Sequence, residues 1–204
     1  MNFNTTTLKN TMILSKQIIN KTGSLTLIIG PMYSGKTSSI LDLYRKYGFS
    51  KINTLVINFE EDKRYHESMM STHDKTMIPC INVLNIRDIM TPENISNNEV
   101  FLINEGQFFN DLHECVIELV ETHNKTVYVC GLDGDFKRNS FDQIISLIPL
   151  ADEIVKKYSI CKGCEDGTRA LFSHRISKET EVKVIGADNY IPLCRICYLK
   201  YNIL

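Results

Sequence analysis

The stretch "SLTLIIGPMYSGKTSSI", residues 24–40, decides the fold. "SLTLIIG" is a short apolar run ending on glycine, which reads as a buried strand that stops at a turn. The residues that follow have the spacing Gly30-x-x-x-x-Gly35-Lys36-Thr37. Glycines at those places let the backbone turn its N–H groups inward around an anion. Downstream, Ile40, Leu41, Tyr44 and Tyr47 recur at helical spacing, so residues 36–49 read as a helix with Gly48 as its stop signal. A helix N-terminus facing the same anion adds favourable potential. Strand, glycine-rich loop and helix in that order form a phosphate cradle. Lys36 is expected to reach the β- and γ-phosphates of a nucleotide there, and Thr37 to ligate Mg2+. The cradle says that a nucleotide binds. It leaves open whether the phosphate is transferred or only hydrolysed.

Working outward, residues 52–59, 79–86, 99–104 and 126–132 read as further strands. Residues 111–123 read as an amphipathic helix, and residues 142–151 turn helically until Pro149 disrupts them. "EVFLIN" has no polar alternation, which suits a central strand covered on both faces. Strands alternating with helices imply right-handed crossovers and a parallel α/β sheet. From about Tyr158 the texture changes to short strands and loops between paired cysteines. The expected organisation is an N-terminal arm (1–22) without fixed structure, a P-loop parallel-sheet nucleotide-binding domain (23–157), and a small C-terminal unit (158–204).

Composition narrows the classes. At 204 residues and 43% hydrophobic, the chain has material for one domain and a small appendage. A net charge of −1 gives no whole-chain footprint for nucleic acid or an acidic membrane. No run of eighteen apolar residues argues for a membrane span. The first 22 residues lack a secretory h-region and contain no arginine, so neither a signal peptide nor a mitochondrial transit peptide fits. With no secretory signal, the seven cysteines point to a reduced, cytoplasmic compartment. Cys80, Cys115 and Cys130 sit in apolar stretches and read as small buried hydrophobes.

Two further features carry chemistry. Glu105 follows a buried strand, where α/β sheets place ligands. It is a candidate base for a hydroxyl nucleophile, or a residue that orients water in an ATPase. Cys161-x-x-Cys164 and Cys194-x-x-Cys197, separated by residues 165–193, match a four-cysteine structural zinc site. Four thiolates complete a tetrahedron, so such a metal is not catalytic. The five histidines show no metal-ligand spacing among themselves.

The motifs together resemble one family. "GPMYSGKT", "DKRY" then "STHD", "NEGQFF", "GLDGDFKRNSF" and the late cysteine pair closed by "CRICY" are similar, in order over about residues 23–200, to the type II thymidine kinases. The resemblance implies transfer of the ATP γ-phosphoryl to the 5′-hydroxyl of thymidine, and of deoxyuridine. It implies Glu105 as catalytic base, with Lys36 and Arg64 assisting at the phosphates. Gly30, Pro31, Met32, Tyr33, Ser34, Gly35, Thr37, Ser38, Asp62, Asn104 and Gln107 would surround the nucleotide and its Mg2+. Phe108 would stack on the base, among Met32, Leu132, Phe136 and Phe141. "ALFSHR" and "EVKVIGADNY" look like the lasso loop of that family, with Ser173, Val182, Val184, Ile185 and Tyr190 against thymine. Zinc on the four cysteines would brace the two ends of the lasso, which limits the entropy of holding it. The resemblance also implies a homotetramer inhibited by thymidine triphosphate.

Four positions depart from the family pattern. Asn104 stands where aspartate is usual; an amide can hydrogen-bond a metal-bound water but brings no negative charge. Weaker Mg2+ handling is the expected consequence. Asp135 replaces a small hydroxyl residue, Ser173 a threonine, and the lasso has one glycine where two are common. Two other readings stay open on the residues alone: a zinc-ribbon P-loop ATPase acting on nucleic acid, and a nucleotide-binding homologue that no longer catalyses. The first would want a basic stripe and usually a longer chain.

Overall fold

A computed structural model of the chain describes residues 22–60, 69–71, 76–177 and 189–202. The arm, apart from Thr22, and Asp62, Arg64, Val182, Val184 and Ile185 lie outside the described residues.

In chain order the elements begin with β1 (Ser24–Ile29), α1 (Lys36–Phe49), β2 (Thr54–Phe59), β3 (Met69–Ser71), β4 (Met77–Pro79) and β5 (Ile81–Val83). They continue with α2 (Pro92–Asn97), β6 (Val100–Ile103), α3 (Leu112–Ile117), β7 (Thr126–Gly131), α4 (Asp142–Ile145) and β8 (Glu153–Lys156). The chain closes with β9 (Ser159–Ile160), β10 (Arg169–Ala170), β11 (Phe172–Arg175), β12 (Tyr190–Leu193) and α5 (Arg195–Tyr201). Six strands form one sheet in the order β5-β2-β6-β7-β1-β8, and every pair in it is parallel.

Strand periodicity divides the interior in two, because successive side chains point to opposite faces. Leu25, Leu27, Ile57, Phe101, Ile103, Val127 and Val129 face one way and pack on Phe109, Leu112, Cys115, Val116 and Leu119 of the α3 region. Ile28, Val56, Val100, Leu102 and Cys130 face the other way and pack on Ile40 and Leu41 of α1. Phe101, Leu102 and Ile103 are fully buried, so the unalternating run of β6 lies at the centre of the sheet as its sequence implied. Burying one such side chain contributes about 1.5–3 kcal/mol. Cys115 and Cys130 are part of these cores, and burial pushes both thiols up to about 12. Cys80 is only half-buried.

Four local expectations need correction. Helix α1 runs one residue past Gly48, and the left-handed turn after it belongs to Lys51 (φ 56°). The segment read as one strand over 79–86 is two: β4 pairs antiparallel with β3, and β5 joins the sheet edge beside β2. Pro149 does not simply stop a helix; it sits in the first turn of a short 3-10 helix (Ile148–Leu150) that follows α4. The edge strand β8 was not anticipated, because Glu153–Lys156 is short and mostly exposed and carries no buried alternation.

Beyond β8 the chain builds a smaller structure. The β9–β10 and β11–β12 pairs are antiparallel. Their core is Cys161, Ala170, Leu193, Cys194, Cys197 and Tyr198, with Phe172 and Ile191 against it.

Candidate functional site

The loop between β1 and α1 reaches its shape through positive-φ residues: Gly30 (149°), Tyr33 (60°) and Gly35 (77°). A Cβ on Gly30 would lie 2.5 Å from the Lys157 carbonyl oxygen, so that position admits only glycine without displacement of the loop. The Ser34 hydroxyl oxygen is buried and has no hydrogen-bond partner among the described residues. A buried unpaired hydroxyl is costly, and in a loop of this form it suits an anion acceptor. Lys36 folds back so that its ammonium donates to the Pro31 carbonyl oxygen (2.8 Å). No acidic residue occupies the first turn of α1, so nothing there opposes an anion. Thr37 is half-buried and Ser38 exposed at the start of that helix.

Past the end of β6 the chain turns sharply, with Glu105 in the left-handed region at φ 54°. Gln107 bridges two strand ends: its Nε2 donates to Glu105 Oε2 (2.6 Å) and its Oε1 accepts from the Leu132 N–H (3.0 Å). Gln107 thus steers the glutamate toward the end of β7. Asn104 is 3% exposed, and its Nδ2 donates to Asn58 Oδ1 (2.9 Å). Asn58 Nδ2 in turn donates to Asn82 Oδ1 (2.9 Å). This chain of amides fixes which end of Asn104 is used, and leaves its Oδ1 available as an acceptor.

The aromatic residues gather beside this turn. Phe108 lies 5.5 Å from Phe59 and 6.3 Å from Phe141, ring centre to ring centre, and is half-buried. Its neighbour Phe109 is fully buried in the core. Leu132 and Phe136 are half-buried on the segment after β7. The Arg175 guanidinium lies 3.8 Å from the Phe136 ring centre and donates to the Tyr190 hydroxyl, including through Nε (3.1 Å). Arg175 is 5% exposed, and sequence reasoning missed it. Its partners are distant in the chain, so no local spacing marks it.

Asp135, a departure from the family pattern, lines a pocket with Pro31 and Ser173 and commits its carboxylate to its own turn. Its Oδ1 accepts from the Lys137 and Asn139 N–H groups (both 2.8 Å) and its Oδ2 from Asn139 Nδ2 (3.0 Å). The carboxylate therefore caps its own turn, as aspartate commonly does.

The four predicted cysteines meet. Their sulfurs all lie within 4.8 Å of one another, with Cys164 at 3.7 Å from Cys194 and 3.5 Å from Cys197. Those separations are too long for disulfides. They approach the edge of about 3.8 Å that a tetrahedron with metal–sulfur bonds near 2.3 Å requires. Burial opposes ionisation of Cys161, but N–H groups of Cys194, Cys164 and Gly163 outweigh it and draw the thiol down to about 6. Gly163 packs tightly in this knuckle: a Cβ there would lie 3.0 Å from Cys197 Sγ. The cluster could hold a metal ion.

The two halves of the site touch directly. The Met32 N–H in the cradle donates to Ser173 Oγ on β11 (2.9 Å). Cradle, Glu105 turn and Leu132 thus lie beyond the C-terminal ends of β1, β6 and β7, the edge at which parallel sheets bind ligands.

Such a fold and site define a P-loop nucleotide-binding α/β protein with a four-cysteine unit docked against its cradle. Residues 23–198 match the family model described as "Thymidine kinase". Similar chains include a "Thymidine kinase" of Oryza sativa subsp. japonica, 37% identical over 89% of this chain and 68% of that one. The "Thymidine kinase, cytosolic" of Bos taurus is 37% identical over 87% and 73%. The "Thymidine kinase" of Yaba monkey tumor virus is 36% identical over 90% and 98%. The chain belongs to the thymidine kinase family.

Proposed function

We propose that this chain transfers the γ-phosphoryl group of ATP to the 5′-hydroxyl of thymidine, giving thymidine monophosphate for DNA synthesis. The observation that carries the reading is the junction between Met32 and Ser173, which ties the phosphate cradle to the strand entering the lasso. A kinase needs donor and acceptor side by side in a closed site. A hydrolase has no such need, and nothing in the site or the relatives favours the ATPase or the non-catalytic alternative.

In this mechanism the cradle N–H groups and the Ser34 hydroxyl receive the phosphates. Lys36 leaves the Pro31 carbonyl for the β- and γ-phosphates. Mg2+, when bound with ATP, neutralises charge on the phosphates; Thr37, and Asn104 through its free Oδ1, are the residues that would face it. Glu105, steered by Gln107, accepts the proton of the 5′-hydroxyl as the new P–O bond forms. Phe108 and Phe141, with Met32, Leu132 and Phe136, supply the apolar slot for thymine, and Ser173 and Tyr190 border it. Pro31, Tyr33 and Gly35 shape the loop. Asp62, Arg64, Val182, Val184 and Ile185 complete the set as assigned by motif.

The four thiolates would hold structural zinc, and residues 158–204 then form a unit clipped at its base. Homotetrameric assembly, inhibition by thymidine triphosphate and a cytoplasmic location belong to the same reading. Among the described residues, no helix is long and apolar enough to cross a membrane. The test is incubation of the purified chain with ATP, Mg2+ and labelled thymidine. The expected product is thymidine monophosphate in step with ADP; ADP release without it would overturn the proposal.

A further inference from the structure

We propose that Lys157 is a second phosphate-binding lysine of the cradle, serving the α-phosphate end of the nucleotide; this rests on reading the cradle as an ATP site. Lys157 follows β8 and embraces both ends of the loop. Its N–H donates to the Ile29 carbonyl (2.7 Å), and its own carbonyl packs on Gly30. Its ammonium donates to the Gly35 carbonyl oxygen (3.0 Å) and to Ser39 Oγ (2.5 Å).

That position puts a second ammonium, beside that of Lys36, at the mouth of the cradle. The first turn of α1 already presents the positive end of the helix dipole and the Lys36 ammonium, with no acidic residue in the turn. No carboxylate pairs with Lys157 among the described residues. Lys157 thus brings to the loop a positive charge that no described carboxylate answers, and a bound polyanion would supply the counter-charge. Lys36 and Lys157 divide the polyanion between them. Lys36 lies on the inner side, against Pro31, where the β- and γ-phosphates belong. Lys157 lies on the rim of the first turn, against Gly35 and Ser39. The Ser39 N–H donates to the Gly35 carbonyl (3.2 Å), so this rim is the outer edge of the helix start. On this proposal the lysine side chain turns from these two oxygens to the α-phosphate when the nucleotide binds.

The rival account makes Lys157 a structural brace. The two differ in one pair of measurements. If Lys157 is a phosphate ligand, Lys157→Gln loses nucleotide affinity while the nucleotide-free protein keeps its melting temperature, whereas loss of a brace lowers that temperature. Calorimetric titration is then run with ATP and ADP, and with AMP by competition, at several salt concentrations. The expected result is a loss of about tenfold in affinity for all three nucleotides, as for a charge-assisted hydrogen bond. The dependence on salt should become shallower, and Lys157→Arg should retain most of the affinity. Lys36→Gln is the contrast, weakening ATP and ADP but sparing AMP. Unchanged nucleotide affinity in Lys157→Gln would overturn the proposal. So would a lowered melting temperature in the nucleotide-free state with affinity lost equally in Lys157→Arg. Failure of the unsubstituted protein to bind ATP at all would instead remove the cradle reading, and this inference with it.

Discussion

The parallel sheet and the four-cysteine unit hold themselves together by different means. The sheet is closed on both faces by large apolar cores, with Phe101, Leu102 and Ile103 fully buried at its centre. The smaller unit has a core of six buried residues, three of them cysteines of the sulfur cluster, on two-stranded pairings. Apolar burial scales with size, and a unit this small rarely supplies enough of it alone. The sheet has the apolar burial to fold without a ligand, whereas the cysteine unit would draw much of its stability from a metal ion held by its four sulfurs. The Met32–Ser173 hydrogen bond makes that dependence matter to the cradle.

The largest expected effect comes from breaking the weaker partner. Cys194→Ser should abolish stoichiometric zinc, since structural zinc contributes on the order of 10 kcal/mol to folding. Hydrogen exchange should show protection lost over β9 to β12 and α5 but kept in the six-stranded sheet. Simultaneous loss in both regions would mean that the sheet is not self-sufficient. Phe101→Ala reverses the comparison: it should cost the sheet about 3–5 kcal/mol by denaturant titration, with zinc content unchanged.

Asn104→Asp probes the joint between sheet and site. Its carboxylate would face Asn58 Oδ1 where an amide now donates, so unfolding titrations should show a loss of about 1–3 kcal/mol at neutral pH. The repulsion and burial raise the folded pKa of the new acid above its unfolded value of about 3.9. The protonated carboxyl can donate as the amide does. The penalty should therefore be absent below about pH 3.9 and grow to its full size as pH rises through the folded pKa. A pH-independent loss would contradict the amide relay. Smallest of all, Ser173→Ala removes one hydrogen bond of about 0.5–1.5 kcal/mol. It should raise the thymidine KM a few-fold while leaving zinc and ATP affinity unchanged. A change in kcat alone would show that the junction does not position the acceptor.

Local signals carried most of the fold. The helix over Lys36–Phe49 was legible because a phosphate loop starts it and its apolar residues keep one period. The central strands were legible as apolar runs, and the cysteine cluster by its paired spacing. What stayed hidden depends on partners distant in sequence. Strand β8 is an exposed edge, recognisable only by its pairing with β1. Asn58 gains meaning from Asn104, Arg175 from Phe136 and Tyr190, and Lys157 from Gly35 and Ser39. The turn partners of Asp135 were hidden too: only the fold brings the Lys137 and Asn139 N–H groups to its carboxylate.

The most direct test of the account is single-turnover phosphoryl transfer in Glu105→Gln. With Glu105 as the base steered by Gln107, ATP and thymidine should bind the variant as they bind the original. The rate of thymidine monophosphate formation should fall by about 10²–10⁴-fold. Transfer at an undiminished rate with both substrates bound would contradict it.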